Sequence, residues 1–247
     1  MNDILGWRKL FGILGPSTNT VVQPEFDDMR PAGVTNHYSR IYTQDAQAIS
    51  NETFMAGTQI ISDNLLAAVD SIMTCNPDRL VMGMSALTFY GGAEGAADFE
   101  QKVKNRSGLD VSAGSTATAA ALHAYGVKSI AFLSPYFPAA NEQVRRFFEE
   151  SGFSVRRDIC LQRPSWTAIA QTPISTLFDT LSSLDGEDVD ALVQVGTNLP
   201  MAAMAAHAEH FFGKPVIAIN TATYWHALRH SGVEDKVSGF GSLLERF

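Results

Sequence analysis

Arg79-Leu-Val-Met-Gly-Met-Ser-Ala-Leu-Thr-Phe-Tyr-Gly-Gly92 is an apolar run that breaks off in small and hydroxyl residues. Its apolar part has the length of a buried strand, and the Gly-Met-Ser that follows delivers Ser85 to the strand's carboxyl end. Ala191-Leu-Val-Gln-Val-Gly-Thr-Asn-Leu-Pro-Met201 has the same layout, with Thr197 and Asn198 in the places of Ser85 and Ala86. Open parallel sheets bind ligands beyond the carboxyl ends of their strands, where backbone donors, helix N-termini and loop side chains converge. A site is expected where these two ends each present a hydroxyl.

Outward from these runs, strands alternate with helices. Leu10 to Leu14 reads as a strand, and Gly15-Pro-Ser-Thr-Asn-Thr20 ends it with turn and cap chemistry before a helix through Pro24, Phe26 and Met29. An extended stretch over 34–42 precedes helical spacing from Ala46 to Met73. From Gly92 to Gly114 the chain turns polar and glycine-rich, and Ser112-Ala-Gly-Ser-Thr then opens an alanine-rich helix stopped near Gly126. Ser129-Ile-Ala-Phe-Leu133 is the next strand, followed by Ser134-Pro-Tyr-Phe-Pro138, a helix with Val144, Phe147 and Phe148, an extended segment to about Ile159, and a helix over 172–184. A helix from Met201 to Phe212, a strand over 214–220 and a last helix from Thr221 complete the series. The alternation predicts an α/β class, and the repeated order predicts two pseudo-symmetric lobes, each a parallel sheet flanked by helices, with the active site in the cleft between them. Residues 1–112 with 221–247 would form one lobe and 113–220 the other.

The 247 residues, 45% hydrophobic and 18% charged, are those of a globular chain with a sizeable core. A net charge of −8 argues against nucleic acid and against an anionic membrane as partners, since both call for clustered positive charge. No apolar run approaches a membrane span. Asp3, Arg8 and Lys9 break the N-terminal apolar character, which speaks against a secretory signal, and the two cysteines, Cys75 and Cys160, have no metal spacing and form no disulfide framework. A cytoplasmic location and a small-molecule substrate are the expectation, with homo-oligomerisation left open. Phosphate-cradling and dinucleotide motifs and the Gly-x-Ser-x-Gly elbow are absent. His207 and His210 share a helix face, but no third ligand accompanies them, so they read as solvated residues and no metal site is expected.

Ser17, Thr18 and Asn19 stand at a strand-to-helix junction, where hydroxyl, amide and backbone donors favour an anion, although helix capping alone also accounts for such residues. With Met84, Ser85, Ala86, Tyr136, Gly196, Thr197 and Asn198 they are expected to bound the pocket. Gly-Pro-Ser-Thr-Asn-Thr20, Ser-Ala-Gly114, Ser-Pro-Tyr136 and the two strand-end turns, in this order over nearly the whole chain, resemble the aspartate/glutamate racemase superfamily in its maleate isomerase and arylmalonate decarboxylase branch. The resemblance implies two α/β lobes, no metal or organic cofactor, and a small carboxylate held by hydroxyls and backbone amides. It matches Asn19 to a substrate-binding asparagine and Tyr136 to a carboxylate-binding tyrosine. Cysteines act at one or both turns in that family, and Met84 and Gly196 stand in their places here.

Three functions compete. The leading expectation is hydrolysis of a small unsaturated amide of maleamate or cis-enamide type, with Ser85 or Thr197 as nucleophile or water holder; Ser17, Asn19, Tyr136 and the turn amides would hold the carboxylate and the oxyanion. A serine nucleophile needs a base, and His226 is its candidate. The alternative is decarboxylase or cis-trans isomerase chemistry on malonate- or maleate-like acids without catalytic thiols, with water or Tyr136 as proton source. The third is a carboxylate-binding protein with no catalysis.

Overall fold

The computed structural model describes residues 3–45 and 49–247. The first sheet contains β1 (Lys9–Pro16), β2 (Val34–Ile41), β3 (Arg79–Met82) and β4 (Val111–Ser112) in the order β2-β1-β3-β4, all parallel. The second contains β5 (Ser129–Ser134), β6 (Ser154–Cys160), β7 (Ala191–Gln194) and β8 (Val216–Ala218) in the order β6-β5-β7-β8, again parallel. The two orders are the same path run twice. The β1–β3 ladder closes at Leu14↔Met82 and the β5–β7 ladder at Leu133↔Gln194, and the parallel pairing sets the turns after all four central strands on one edge of their sheets. β3, β5 and β7 are buried along their full length, as central strands covered by helices on both faces require.

Helices α1 (Val22–Asp28), α2 (Asn51–Met73), α3 (Gly92–Ser107) and α4 (Gly114–Ala124) belong to the first half of the chain. The second half supplies α5 (Pro138–Glu150), α6 (Trp166–Ala170), α7 (Ile174–Leu184), α8 (Ala202–Phe212), α9 (Ile219–Arg229) and α10 (Ser242–Arg246). α2 starts from a reciprocal capping box of Ser50 and Thr53; of the helix expected from Ala46, residues 46–48 lie outside the described residues. The polar stretch after Gly92 forms the regular helix α3 instead of an irregular segment. Gly91 and Gly92 enter it at φ 79° and 70°, and Gly95 lets the helix pass the Tyr90 carbonyl, which a Cβ would meet at 2.0 Å. α9 begins two residues before Thr221, after Ala218, with no side-chain cap.

α9 leaves the second sheet and packs on α4, α1, β3 and β4. Its Tyr224 is fully buried, edge-on to Phe11 of β1 at 5.9 Å and 5.0 Å from Phe26 of α1, and its hydroxyl donates to Asn36 Oδ1 at 3.0 Å. The main hydrophobic core therefore runs without a break from Phe11 and Phe26 through α4 and α9 to β5 and β7. A second core, between α2 and the other face of the first sheet, is built on Leu14, Leu65, Val69 and Met82. No described helix is long and apolar enough to cross a membrane.

Candidate active site

The turns after β1, β3, β5 and β7 meet between the two sheets around a partly open cavity of about 50 Å³. Thr18, Asn19, Met84, Ser85, Ala86, Tyr136, Gly196, Thr197 and Asn198 line it, so nine of the ten expected site residues come together. Ser17 does not line it. Its hydroxyl accepts from the Thr43 N–H and donates to the Thr43 carbonyl, both at 3.0 Å, which ties the first turn to the strand after it. His226 is also elsewhere: its Nδ1 pairs with Ser112 Oγ at 2.9 Å and its ring stacks on His230 at 3.9 Å. Burial there, with His230 and Arg79 nearby, lowers His226 to about 3 and keeps it neutral.

Asn19, Thr197 and Asn198 each spend part of their capacity on the fold. Asn19 Oδ1 accepts from the Val21 and Val22 N–H groups at 3.0 Å each and so opens α1, as a cap would. Its Nδ2 donates across the cleft to Thr197 Oγ1 at 3.0 Å and to the Gly83 carbonyl at 3.4 Å. Thr197 Oγ1 donates in turn to that carbonyl at 3.1 Å, while the Thr197 N–H donates to Ser85 Oγ at 3.2 Å. Asn198 accepts from the Thr20 N–H at 3.0 Å and donates to the Trp166 carbonyl at 2.8 Å. Asn19, Thr197 and Asn198 therefore clasp the two lobes as well as face the cavity.

Ser85 Oγ and Tyr136 Oη lie 2.7 Å apart, both buried. Between them they carry two hydroxyl hydrogens. One makes the bond between the two oxygens, and Ser85 Oγ already accepts from Thr197, so the second hydrogen is left for an acceptor in the cavity. Burial holds the Tyr136 phenol above its ordinary range, so it stays protonated at neutral pH and serves as a donor. The Met84 and Ser85 N–H groups have no backbone acceptor among the described residues.

The remaining lining is mainly apolar: Pro16 and Pro135 of the turns, Ile61 beside Thr58 on α2, Leu87 after the first-lobe turn, and Trp166 and Ile169 on α6. A first-lobe loop clasps α6, for the Asp45 carboxylate accepts from the N–H and hydroxyl of Thr167 at 3.0 and 2.6 Å. The buried Trp166 Nε1 has no partner among the described residues. Tyr136 is the one ionisable residue in the lining, so among the described residues no carboxylate, imidazole, ammonium or guanidinium faces the cavity. Arg40, a nearby cation, instead donates to the Ser17 and Asn19 carbonyls at 3.2 and 3.0 Å and stiffens the first turn from outside.

Neither cysteine lines the cavity. Cys75 Sγ donates to the Ile72 carbonyl at 3.1 Å, Cys160 ends β6, and burial raises both thiols above their ordinary pKa. Gly196 sits at φ 102°, and a Cβ there would lie 2.4 Å from Pro135 Cδ; any side chain, a thiol included, would force both second-lobe turns apart. His207 and His210 are exposed on α8, and among the described residues no three of His, Cys, Asp and Glu gather around a metal-sized space.

The model of the family described as arylmalonate decarboxylase matches residues 48–244. The chain belongs to the arylmalonate decarboxylase family. A maleate isomerase of Pseudomonas putida is 27% identical over 248 residues, covering 94% of this chain and 96% of its own. An arylmalonate decarboxylase of Bordetella bronchiseptica is 28% identical over 171 residues, 67% of this chain and 70% of its own. Among solved structures, a cysteine-to-serine variant of Nocardia farcinica maleate cis-trans isomerase with a covalently bound succinylcysteine intermediate superposes with a TM-score of 0.87 at 24% identity, over 97% of this chain and 99% of that one. In this family member, neutral donors, an apolar wall and thiol-free turns make up the cleft.

Proposed function

We propose that the chain is a thiol-independent decarboxylase of small malonate-like acids that carry an apolar substituent. The observation that carries the reading is a cavity with an unspent hydroxyl hydrogen on the Ser85–Tyr136 pair, apolar walls, and neither base nor thiol. Residues 1–112 with 221–247 and residues 113–220 act in this reading as the two lobes that close on the substrate. Decarboxylation asks for little else. The bond between the α-carbon and one carboxylate breaks, carbon dioxide leaves, and the electron pair passes into the remaining carboxylate as an enediolate. A proton from water then goes to the α-carbon. Donors aimed at the developing oxyanion typically contribute about 3–4 kcal/mol each. The spare hydroxyl hydrogen and the Met84 and Ser85 N–H groups are suited to that role, while Trp166, Ile169, Leu87 and Ile61 receive the substituent. An apolar wall also disfavours localised charge on a carboxylate and not on the neutral carbon dioxide it becomes.

Amide hydrolysis fits these groups less well. Ser85 has no base within the cavity, His226 being at the Ser112 side of α9, and the relatives act on carboxylates by their names, not on amides. Isomerisation through a covalent thiol adduct lacks its nucleophile. The test is product analysis with phenylmalonate, maleate and maleamate supplied separately: carbon dioxide from the first supports the proposal. Fumarate from maleate or ammonia from maleamate, with no carbon dioxide from any malonate, overturns it.

A further inference from the structure

Glu25 occupies a place that neither the sequence pattern nor the cavity explains. It lies on α1 of the first half of the chain, yet its carboxylate is turned to the second half: Oε1 accepts from the Ala202 N–H at the start of α8 at 3.0 Å, and Oε2 accepts from Asn220 Nδ2 at 2.6 Å. Asn220, itself buried on the first turn of α9, donates from the same Nδ2 to the Thr197 carbonyl at 3.0 Å. Both hydrogens of the carboxamide are thereby assigned. The carboxamide has only one arrangement that serves both acceptors, because turning it over would set its oxygen against Glu25 and the Thr197 carbonyl together. Its Oδ1 is left buried without a partner among the described residues. Thr197 is the residue whose N–H reaches Ser85 and whose hydroxyl reaches Gly83, so the chain of contacts runs from Glu25 to the centre of the cleft in two steps.

We propose that Glu25 is a positioning residue: by accepting from Asn220 it keeps that amide on the Thr197 carbonyl and so holds the second-lobe turn against Ser85. The inference rests on the proposed function for what the turn does, but the geometry it concerns is independent of the reaction. A carboxylate with no cation beside it is costly to bury, and helix capping alone would be served by a neutral Ser or Asn. Burial raises Glu25 to about 7, with Asp28 on the same helix adding to the shift. The other charged or titratable groups on the elements packed around it are engaged or turned away: on α1, Asp27 accepts from Asn36, and on β2, Tyr38 donates to the Gln23 carbonyl, Arg40 to the Ser17 and Asn19 carbonyls, and His37 pairs with Thr35. On α8, Glu209 bonds Ser242 and Val216, and His207 and His210 are exposed; on α9, Tyr224 bonds Asn36, His226 bonds Ser112, and Arg229 bonds Phe247 and Val233. Protonation of Glu25 weakens it as an acceptor and loosens the Asn220–Thr197 contact, so the cleft is at its most ordered above pH 7 and loosens as the pH falls.

Two readouts test this together. In the wild-type protein, NMR across pH 5 to 9 should show the Glu25 carboxyl carbon titrating near 7, with the Asn220 side-chain amide and the Thr197 carbonyl carbon moving at the same midpoint. In Glu25→Met, which has no oxygen to accept from Asn220, kcat toward the malonate substrate should fall about 10- to 100-fold at pH 8, the scale expected for displaced catalytic groups. KM should change far less, and the acid limb of the wild-type kcat profile should vanish. A carboxyl titrating near the ordinary 4.5, Asn220 and Thr197 signals that ignore it, or a variant that keeps both the rate and the acid limb would overturn the proposal. If the wild-type protein turns over no malonate, the proposed function fails while the NMR titration still decides the role of Glu25.

Discussion

Ser85 and Tyr136 share two hydrogens, and that sharing makes a prediction that separate roles would not. Ser85→Ala loses two internal bonds, to Tyr136 and from the Thr197 N–H, and Tyr136→Phe loses one, each about 1 kcal/mol, but each single variant leaves the other hydroxyl free to face the cavity. The double variant keeps neither hydroxyl of the pair. Steady-state kinetics should show modest losses in the single variants and about 10²- to 10³-fold in the double one; two large and additive single losses would assign the hydroxyls independent roles. Titration gives a second prediction at this scale. Glu25, raised from 4.5 to about 7, binds its proton more tightly in the folded state, so its contribution to stability is complete below 4.5 and is lost as the pH rises through 7. His226, lowered from 6.5 to about 3, has the opposite sign: its contribution is complete above 6.5 and is lost as the pH falls toward 3. Urea denaturation at pH 5 and pH 8 should therefore show Glu25→Gln gaining on the wild type at the higher pH, whatever constant offset the substitution brings, and His226→Gln gaining at the lower pH. Unchanged differences at the two pH values would mean that neither group titrates as its burial requires.

At the scale of elements, the strands were legible because β1, β3, β5 and β7 are short apolar runs that end abruptly, and burial on both faces demands such runs. The polar turns after them were legible for the same reason, since small and hydroxyl residues directly after a buried strand suit a tight turn or a helix start and could not continue the apolar run. α3 was not. Of its sixteen residues only Gly92, Ala96 and Val103 are buried, so the apolar stripe by which a helix announces itself is almost missing, and the glycines that admit it look like a loop. The apolar wall of the cavity was hidden differently: Thr58 and Ile61 follow the same spacing as the core residues of α2, and Trp166 stands on a five-residue helix too short to show a period. Ser17 shows the reverse error, a residue with site chemistry that the fold uses to bind Thr43. Gly196 is where turn geometry and site geometry coincide. Gly196→Ala should cost about 1–3 kcal/mol from backbone strain alone, more if Pro135 cannot move, and the change should be read from the urea midpoint. A variant as stable as the wild type would mean that the turn can relax, and with it the ground for excluding a thiol at that position.

For the molecule as a whole, the repeat of sheet order is what builds the cleft, and α9 is what closes the chain around it. Tyr224 of α9 fills the first-sheet core beside Phe11 and Phe26, and the core it joins continues into the second sheet. Tyr224→Ala should cost about 3–5 kcal/mol, and because the core is shared, circular dichroism and tryptophan fluorescence should lose signal together in one transition; separated transitions would show that the halves fold independently. The central claim, however, concerns the chemistry such a scaffold supports when its turns carry no thiol and its cavity no base. It is tested most directly in the variant with Cys75→Ser and Cys160→Ser together, given phenylmalonate in deuterated water. The account predicts carbon dioxide and phenylacetate carrying one solvent deuterium, at a rate close to that of the wild type. A folded variant that has lost the activity, or a wild-type protein that releases no carbon dioxide from any substituted malonate, would contradict it.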